Sequence, residues 1–429
     1  MVITTLLRLR GFRLLLGTRL LSQAADGAFQ AALASYVVFS PERQATPGAI
    51  ASAFAVMLLP FTLFGPIAGA VLDRWRRRHV LVQGNGLRLL LCLGTAALVL
   101  ARVPTAVFFA AALVVTGINR FVLAGLSAGT PHVVPAGSLV TANALAPTAG
   151  TVATTVGAGL AVVVRLALTP GPQANAGLLA LAALGYAASA ATAQRLGPDA
   201  LGPEHPQHLA LRRTFADSTA DLRSGLSYLR REARPARDAL AAVTICRFCY
   251  GLLLVTLLML CRNSFAAPDD QGTALRYLGL ALGVSAAGFF AAALITPWAT
   301  RRLGVAGWLS CCAALGAVLT PVLGLLFAPL PTVIAAFVLG LVSQGVKISV
   351  DTTVQATVAD GYRGRVFVLY DILFNVSLVT AAAACALVLP VSGRSAPLVL
   401  TSSALYAATA VGYFCRSAHH SLSIRSASS

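Results

Sequence analysis

The chain has 429 residues, of which 57% are apolar and only 11% charged. Soluble domains carry about a quarter charged residues, so a water-soluble globular protein is excluded and lipid is the solvent for most of the chain. The net charge of +18 raises the possibility of nucleic-acid binding, which its distribution along the chain rules out below.

A spanning helix needs roughly 20 predominantly apolar residues. Twelve runs meet that need, near 13–38, 49–72, 80–101, 104–128, 141–168, 174–195, 239–261, 275–298, 305–327, 331–358, 366–390 and 396–415. They are continuously apolar rather than alternating, which excludes a β-barrel. With the N-terminus inside, the inner gaps hold 21 arginines and the outer gaps 6. That asymmetry predicts both termini in the cytoplasm and reads the positive charge as a topology signal, with no nucleic-acid partner. The first apolar run is too long for a cleavable signal peptide, and no small-residue cleavage site follows it.

The first span carries Arg19, Gln23, Asp26 and Gln30 at steps of four, three and four, which place them on one helical face. Between the second and third spans lies the charged hinge from Gly69 to Arg78, with Asp73, Arg74, Arg76 and Arg77 inside it. The fourth span contains Arg120. A polar stretch over 196–238 divides the spans six and six. It opens on a Pro/Gly/His turn region and continues as a basic amphipathic helix from about Thr214 to Arg231, suited to the inner membrane surface. The predicted organisation is an N-terminal six-helix bundle over 1–195, a linker over 196–238, and a C-terminal six-helix bundle over 239–429.

The seventh span contains Arg247. The tenth carries Gln344, Lys347, Asp351 and Gln355, and Lys347 is the one lysine in the chain. An ionisable side chain in a span costs roughly 2.5–3.5 kcal/mol on insertion scales, so each is expected to face protein or a water-filled cavity. Lysine changes its protonation readily on burial whereas arginine stays charged, and Asp351, four residues on, is the natural partner of Lys347. Asp26 has no sequence-local cation beyond Arg19, which lies close enough to the span's end to snorkel to the headgroups. The alternative for Lys347 and Asp351 is a static ion pair.

Three segments resemble loops of the major facilitator superfamily. They are Gly69–Arg78 after the second span, Pro131 to Leu145 between the fourth and fifth, and Val358 to Phe367, with Arg363 and Arg365, between the tenth and eleventh. The last two are similar to loops of the bacterial drug- and siderophore-exporter branch, the macrolide-efflux and enterobactin-exporter type. The resemblance implies an all-α membrane protein of twelve transmembrane helices in two pseudo-symmetric six-helix bundles, with a cavity lined by the first, fourth, seventh and tenth helices. It implies a secondary transporter of the bacterial inner membrane, working by alternating access. It also implies gating roles for Gly69, Asp73, Arg74, Arg77, Arg78, Arg363 and Arg365. Asp26 and Asp351, as carboxylates within spans, are the candidate proton carriers. The chain departs from the family pattern at Arg76, where a glycine is usual. The second-half loop at Ala299–Gly304 has no acidic residue, and Thr155–Gly159 lacks the antiporter proline.

Other motifs carry less. Gly125-Leu126-Ser127-Ala128-Gly129 matches a nucleophile elbow but follows a membrane helix, and all six histidines lie in loops or tails. Cys246-x-x-Cys249 lacks a second pair, so no metal is expected. No phosphate-binding loop occurs, so an ion gradient is the expected energy source and no cofactor or enzymatic activity is expected. The expected cargo is a small amphipathic molecule, cationic or neutral, exported against protons by a monomer surrounded by membrane lipids. The rival readings are a lipid or lysolipid flippase of the same fold and a non-transporting sensor or assembly protein.

Overall fold

The computed structural model describes residues 2–33, 46–48, 51–52, 75–101, 105–168, 172–202, 222–265 and 271–427. The second predicted span, apart from residues 51 and 52, lies outside these, as do Gly69, Asp73 and Arg74 of the hinge.

The described residues are mainly helical, without a strand among them. In chain order the helices are α1 (Val2–Arg8), α2 (Arg10–Leu33), α3 (Arg77–Leu100), α4 (Thr105–Val133), α5 (Leu139–Ala167) and α6 (Pro172–Gln194). Then come α7 (222–231), α8 (Arg234–Asn263), α9 (Gln271–Gly324), α10 (Pro329–Thr357), α11 (Asp360–Val388) and α12 (Ala396–Ala427). Nine helices among the described residues are long and apolar enough to cross a membrane. A tenth, α2, spans 24 residues but is less apolar, because it carries the polar face read from the sequence. At 1.5 Å per residue the 54 residues of α9 would run ~80 Å, more than twice the hydrocarbon thickness. Gly304, at φ 73° and ψ 166°, divides it in two. The eighth and ninth predicted spans fall on either side of this glycine, whose positive φ a Cβ would oppose.

The chain forms two compact units. Unit 1 comprises Met1–Phe39, Pro60–Tyr228 and Val358–Asp371; unit 2 comprises Ser40–Leu59, Leu229–Thr357 and Ile372–Ser429. In unit 1, α2 packs on α5 and α6, and α3 packs on α6 and α4. Ala25, Phe29, Leu178, Ala182 and Tyr186 belong to one buried cluster there. In unit 2, α10 packs along α9, and α8 lies against α10 and α12. Large apolar side chains point outward, among them Leu184 at 69% and Leu387 at 87% exposure. Such faces suit a hydrocarbon solvent, because apolar side chains there cost nothing.

With lipid as solvent, helices gain little from hiding apolar surface and associate through close packing over small residues. The α2–α5 crossing shows this. A Cβ on Gly27 would collide with the Thr154 carbonyl, and one on Gly157 with the Ala24 carbonyl. The α9–α10 crossing is built likewise, with Gly288 against the Phe337 carbonyl and Gly340 against the Ser285 carbonyl. Gly159, two residues from Gly157, would meet nothing within 4 Å. Gly157→Ala should therefore lower the thermal unfolding temperature in detergent, whereas Gly159→Ala should leave it unchanged or raise it by the helix-propensity gain of ~1 kcal/mol. Equal melting of the two variants would contradict this account of the crossing.

Candidate functional site

A fully buried polar group in unit 1 joins three helices. Arg88, halfway along α3, is fully buried and forms an ion pair with Asp26 of α2. Its Nη1 donates to Ser22 Oγ at 2.9 Å and to Asn85 Oδ1 at 3.3 Å. The guanidinium lies over the Tyr186 ring of α6, 3.9 Å from the centroid. The Tyr186 hydroxyl in turn donates to Asp26 Oδ1 at 2.8 Å. Ser22 donates to Asn85 Oδ1 at 3.1 Å, and the Asn85 amide returns to the Leu81 carbonyl at 2.9 Å. Charge and ring face are thus matched within the packed interior, while Arg88 Nε and Asp26 Oδ2 have no hydrogen-bond partner among the described residues. The arrangement resembles a lock on helix register more than a site that water or cargo enters.

Unit 2 holds a different kind of pair. Lys347 Nζ donates to Asp351 Oδ2 at 2.6 Å, one turn apart on α10. The aspartate side chain is 4% exposed but the lysine is 32% exposed. One partner is therefore partly exposed, which no member of the Arg88 network is. Gln344 and Gln355, on the same helix, are buried. Arg247 of α8 is half-buried and lies over two rings, 4.7 Å from the Tyr250 centroid and 4.0 Å from that of Phe374.

A third cluster gathers at the start of α11, within unit 1. Asp360 Oδ1 receives Arg77 Nη1 at 3.0 Å and Arg363 Nη1 at 2.7 Å, with His132 Nε2 at 3.3 Å. Arg77 is fully buried; it also donates to the carbonyls of Ala128 at 3.2 Å and Leu201 at 3.0 Å, and through Nη2 to that of Asp360 at 3.3 Å. Asp360 precedes the apolar run that begins at Val366. Burial alone would raise its carboxyl, but the His132 hydrogen bond and the Arg77 guanidinium outweigh it and hold the group well below the usual carboxylate range. Arg365 reaches Ser224 Oγ at 3.2 Å, and Tyr228 of α7 stacks on Tyr362 with centroids 4.3 Å apart. The Tyr228 hydroxyl accepts the Ala359 N–H at 3.1 Å, satisfying an amide at the helix start.

Several residues predicted from sequence sit as single-helix reasoning implies, and others do not. Lys347 and Asp351 meet as expected. Asp26 has a cation that the sequence argument overlooked, Arg88 from another helix. The polar face of α2 is not uniform: Arg19 and Asp26 are buried, Gln23 is half-buried and Gln30 is exposed. Arg120 of α4 faces Asp371 of α11 at 3.8 Å, both about a third exposed. Arg78 donates to the Gln194 carbonyl at 2.8 Å and takes no part in the Asp360 cluster among the described contacts. Arg88, Asp360 and Asp371 are residues that the sequence reading passed over. Arg88 and Asp371 could have been found by asking of every charge inside a predicted span where its counter-charge lies.

The architecture is that of a multi-pass α-helical membrane protein with several of its interior charges held in pairs. The pattern of the Major Facilitator Superfamily matches residues 15–382, and the chain belongs to that family. An uncharacterized MFS-type transporter of Mycobacterium tuberculosis is 35% identical over 396 residues, 92% of this chain and 88% of the relative. A counterpart in Mycobacterium bovis matches equally. Among solved structures, a bacterial homologue of the iron transporter ferroportin in an outward-facing state aligns with a TM-score of 0.69 at 18% identity, covering 95% of this chain and 99% of that one. The human organic anion transporter TETRAN aligns at 0.64 and 16% identity, covering 94% and 99%. At such identities these structures speak for the fold alone. The protein is a membrane transporter of this superfamily.

Two predictions follow from the paired charges. Removing one partner of a buried ion pair strands the other, at a cost of ~3–5 kcal/mol, while replacing both with apolar residues is often neutral. Arg88→Met and Asp26→Leu should each depress the melting temperature strongly, and the double variant should recover most of the loss; additive losses would contradict the register-lock reading. At Arg77 a lysine keeps the charge but not the fork that serves carbonyls and carboxylate together. Arg77→Lys should lose about 2 kcal/mol of stability in a thermal melt, and an unchanged melt would show that charge alone suffices.

Proposed function

We propose that the protein is a secondary active exporter of a small amphipathic molecule, drug-like or siderophore-like, in the drug- and siderophore-exporter branch of its family. Transport proceeds by alternating access with proton antiport. The observation that carries the coupling is the Lys347–Asp351 pair: a buried carboxylate bonded to an ammonium that is one-third exposed. Lysine can give up its proton where arginine cannot. A change in the surroundings of Lys347 therefore changes the charge balance on Asp351, the condition for loading and unloading a proton. Asp26, held against the permanently charged Arg88, is the weaker carrier.

The same reading places the protein in the bacterial cytoplasmic membrane, as a monomer with both termini inside. It divides the chain into bundles at 1–195 and 239–429 joined by the linker at 196–238. The Asp360 cluster then lies on the cytoplasmic side. There Arg77 and Arg363 act as a gate that ties the start of α11 to the hinge end of α3. Gly69, Asp73 and Arg74 are assigned to the same gate by family resemblance.

The test is uptake of a panel of fluorescent amphipathic dyes into everted membrane vesicles under an acid-inside pH gradient. Uptake of at least one dye should collapse with an uncoupler. Asp351→Asn should reduce gradient-driven uptake by at least tenfold, with Asp26→Asn judged only in preparations that remain folded. Gradient-driven uptake that persists in Asp351→Asn would remove Asp351 from the coupling role. If no dye responds to the gradient, the proton-antiport reading fails for this cargo class.

A further inference from the structure

Unit 2 encloses a cavity among four of its helices, α8, α9, α10 and α12. No ionisable side chain lines it. Leucine, alanine, valine and one glycine occupy all but three of the lining positions, and those three are Thr256, Thr320 and Thr332. The centre of a water-sized sphere can move through about 40 Å³ of it, more than one water needs. Spread over the ~10 Å that separates Thr332 from Leu339 along α10, that volume is a slot about one chain wide.

Polarity in the slot is ordered by depth. α8 and α9 end where α10 and α12 begin. Thr332 lies three residues inside the start of α10 and Thr320 four from the end of α9, so both sit ~5–6 Å from the helix ends. Leu253 of α8 and Leu339 of α10 lie ten residues in, ~15 Å deep and half the thickness of the hydrocarbon core. The two shallow threonines also break the habit of others in this unit. Thr244, Thr256 and Thr409 return their hydroxyls to the carbonyl four residues back, at 2.7, 2.9 and 2.8 Å. Thr320 and Thr332 are each 6% exposed, yet among the described residues neither hydroxyl has a hydrogen bond. Neither oxygen is sealed in packing, so what remains accessible of each opens on the slot it lines. A hydroxyl buried without a partner is costly, which favours an occupant that brings an acceptor to this depth.

We propose that the slot holds one acyl chain of a membrane lipid, its ester carbonyl accepting from Thr320 or Thr332 and its tail running down to Leu253 and Leu339. An ester supplies an acceptor without a charge, as a lining with no cation requires. A free fatty acid would bring a carboxylate with nothing to meet it, and a plain hydrocarbon would leave both hydroxyls unmet. In a bilayer the ester groups lie at the border of the hydrocarbon core, the depth of the two threonines. The site is separate from the paired charges, and the proposal stands or falls independently of proton-coupled export.

The test uses the full chain in dodecyl maltoside, a detergent without esters, and a methyl palmitate carrying a diazirine in mid-chain. Photolabelling should saturate and should concentrate in peptides that hold 253–260 and 332–339. Unlabelled methyl palmitate and dioleoylphosphatidylcholine should displace the label, and hexadecane should need about tenfold more. In the double variant Thr320→Val with Thr332→Val, which keeps the shape of both side chains, that tenfold difference should vanish. Ala336→Phe should fill the slot and lose the label, with folding read from its thermal melt; should it not fold, the threonine double variant decides. Labelling that never saturates, hexadecane competing as well as the ester in the unaltered chain, or a preference that survives the double variant would each overturn the proposal. Displacement by methyl palmitate but not by phosphatidylcholine would point to a free neutral ester and overturn the assignment to lipid.

Discussion

A charge placed among packed membrane helices must be met by an opposite charge and by donors or acceptors for its remaining atoms. The Arg88–Asp26 pair meets most of that demand within unit 1, using one residue from α3, one from α2 and the Tyr186 ring and hydroxyl from α6, while Asp26 Oδ2 and Arg88 Nε stay buried without a hydrogen-bond partner among the described residues. Such a pair contributes little net stability against an apolar alternative, since desolvation offsets most of the attraction. What it does supply is a single alignment of three helices, because a shift of one turn would strand both charges. The glycine crossings at Gly27 and Gly157 act with it, letting α2 and α5 approach at backbone distance.

Against that fixed pair, Lys347 and Asp351 stand out by the exposure of one partner. Both pairs place an aspartate against a cation in a span, but they differ in what the cation can do. An arginine stays charged and, enclosed by Tyr186, Ser22 and Asn85, has no route to change. The lysine has a third of its side chain open.

Much of the fold was legible from sequence because lipid makes the signal simple. Long apolar runs do not depend on tertiary contacts. The Lys347–Asp351 contact was legible for the same reason, since one helical turn brings the two together. What escaped was everything that depends on which helices are neighbours. Sequence separations of 62 between Asp26 and Arg88, and of 283 between Arg77 and Asp360, hold no local clue to the pairing. The polar face of α2 misled for a related reason. Four residues shared a side, but α6 and α5 bury only part of it, leaving Gln30 exposed.

The account turns on which carboxyl changes its protonation during transport. Infrared difference spectroscopy of the full protein in lipid, across a pH step or on addition of a transported dye, reads the carboxyl stretch directly. A protonation band that vanishes in Asp351→Asn and persists in a folded variant lacking the Asp26 carboxyl is the result expected here. A band that survives in Asp351→Asn and is lost with Asp26 would reverse the assignment of the fixed and the exchangeable pair.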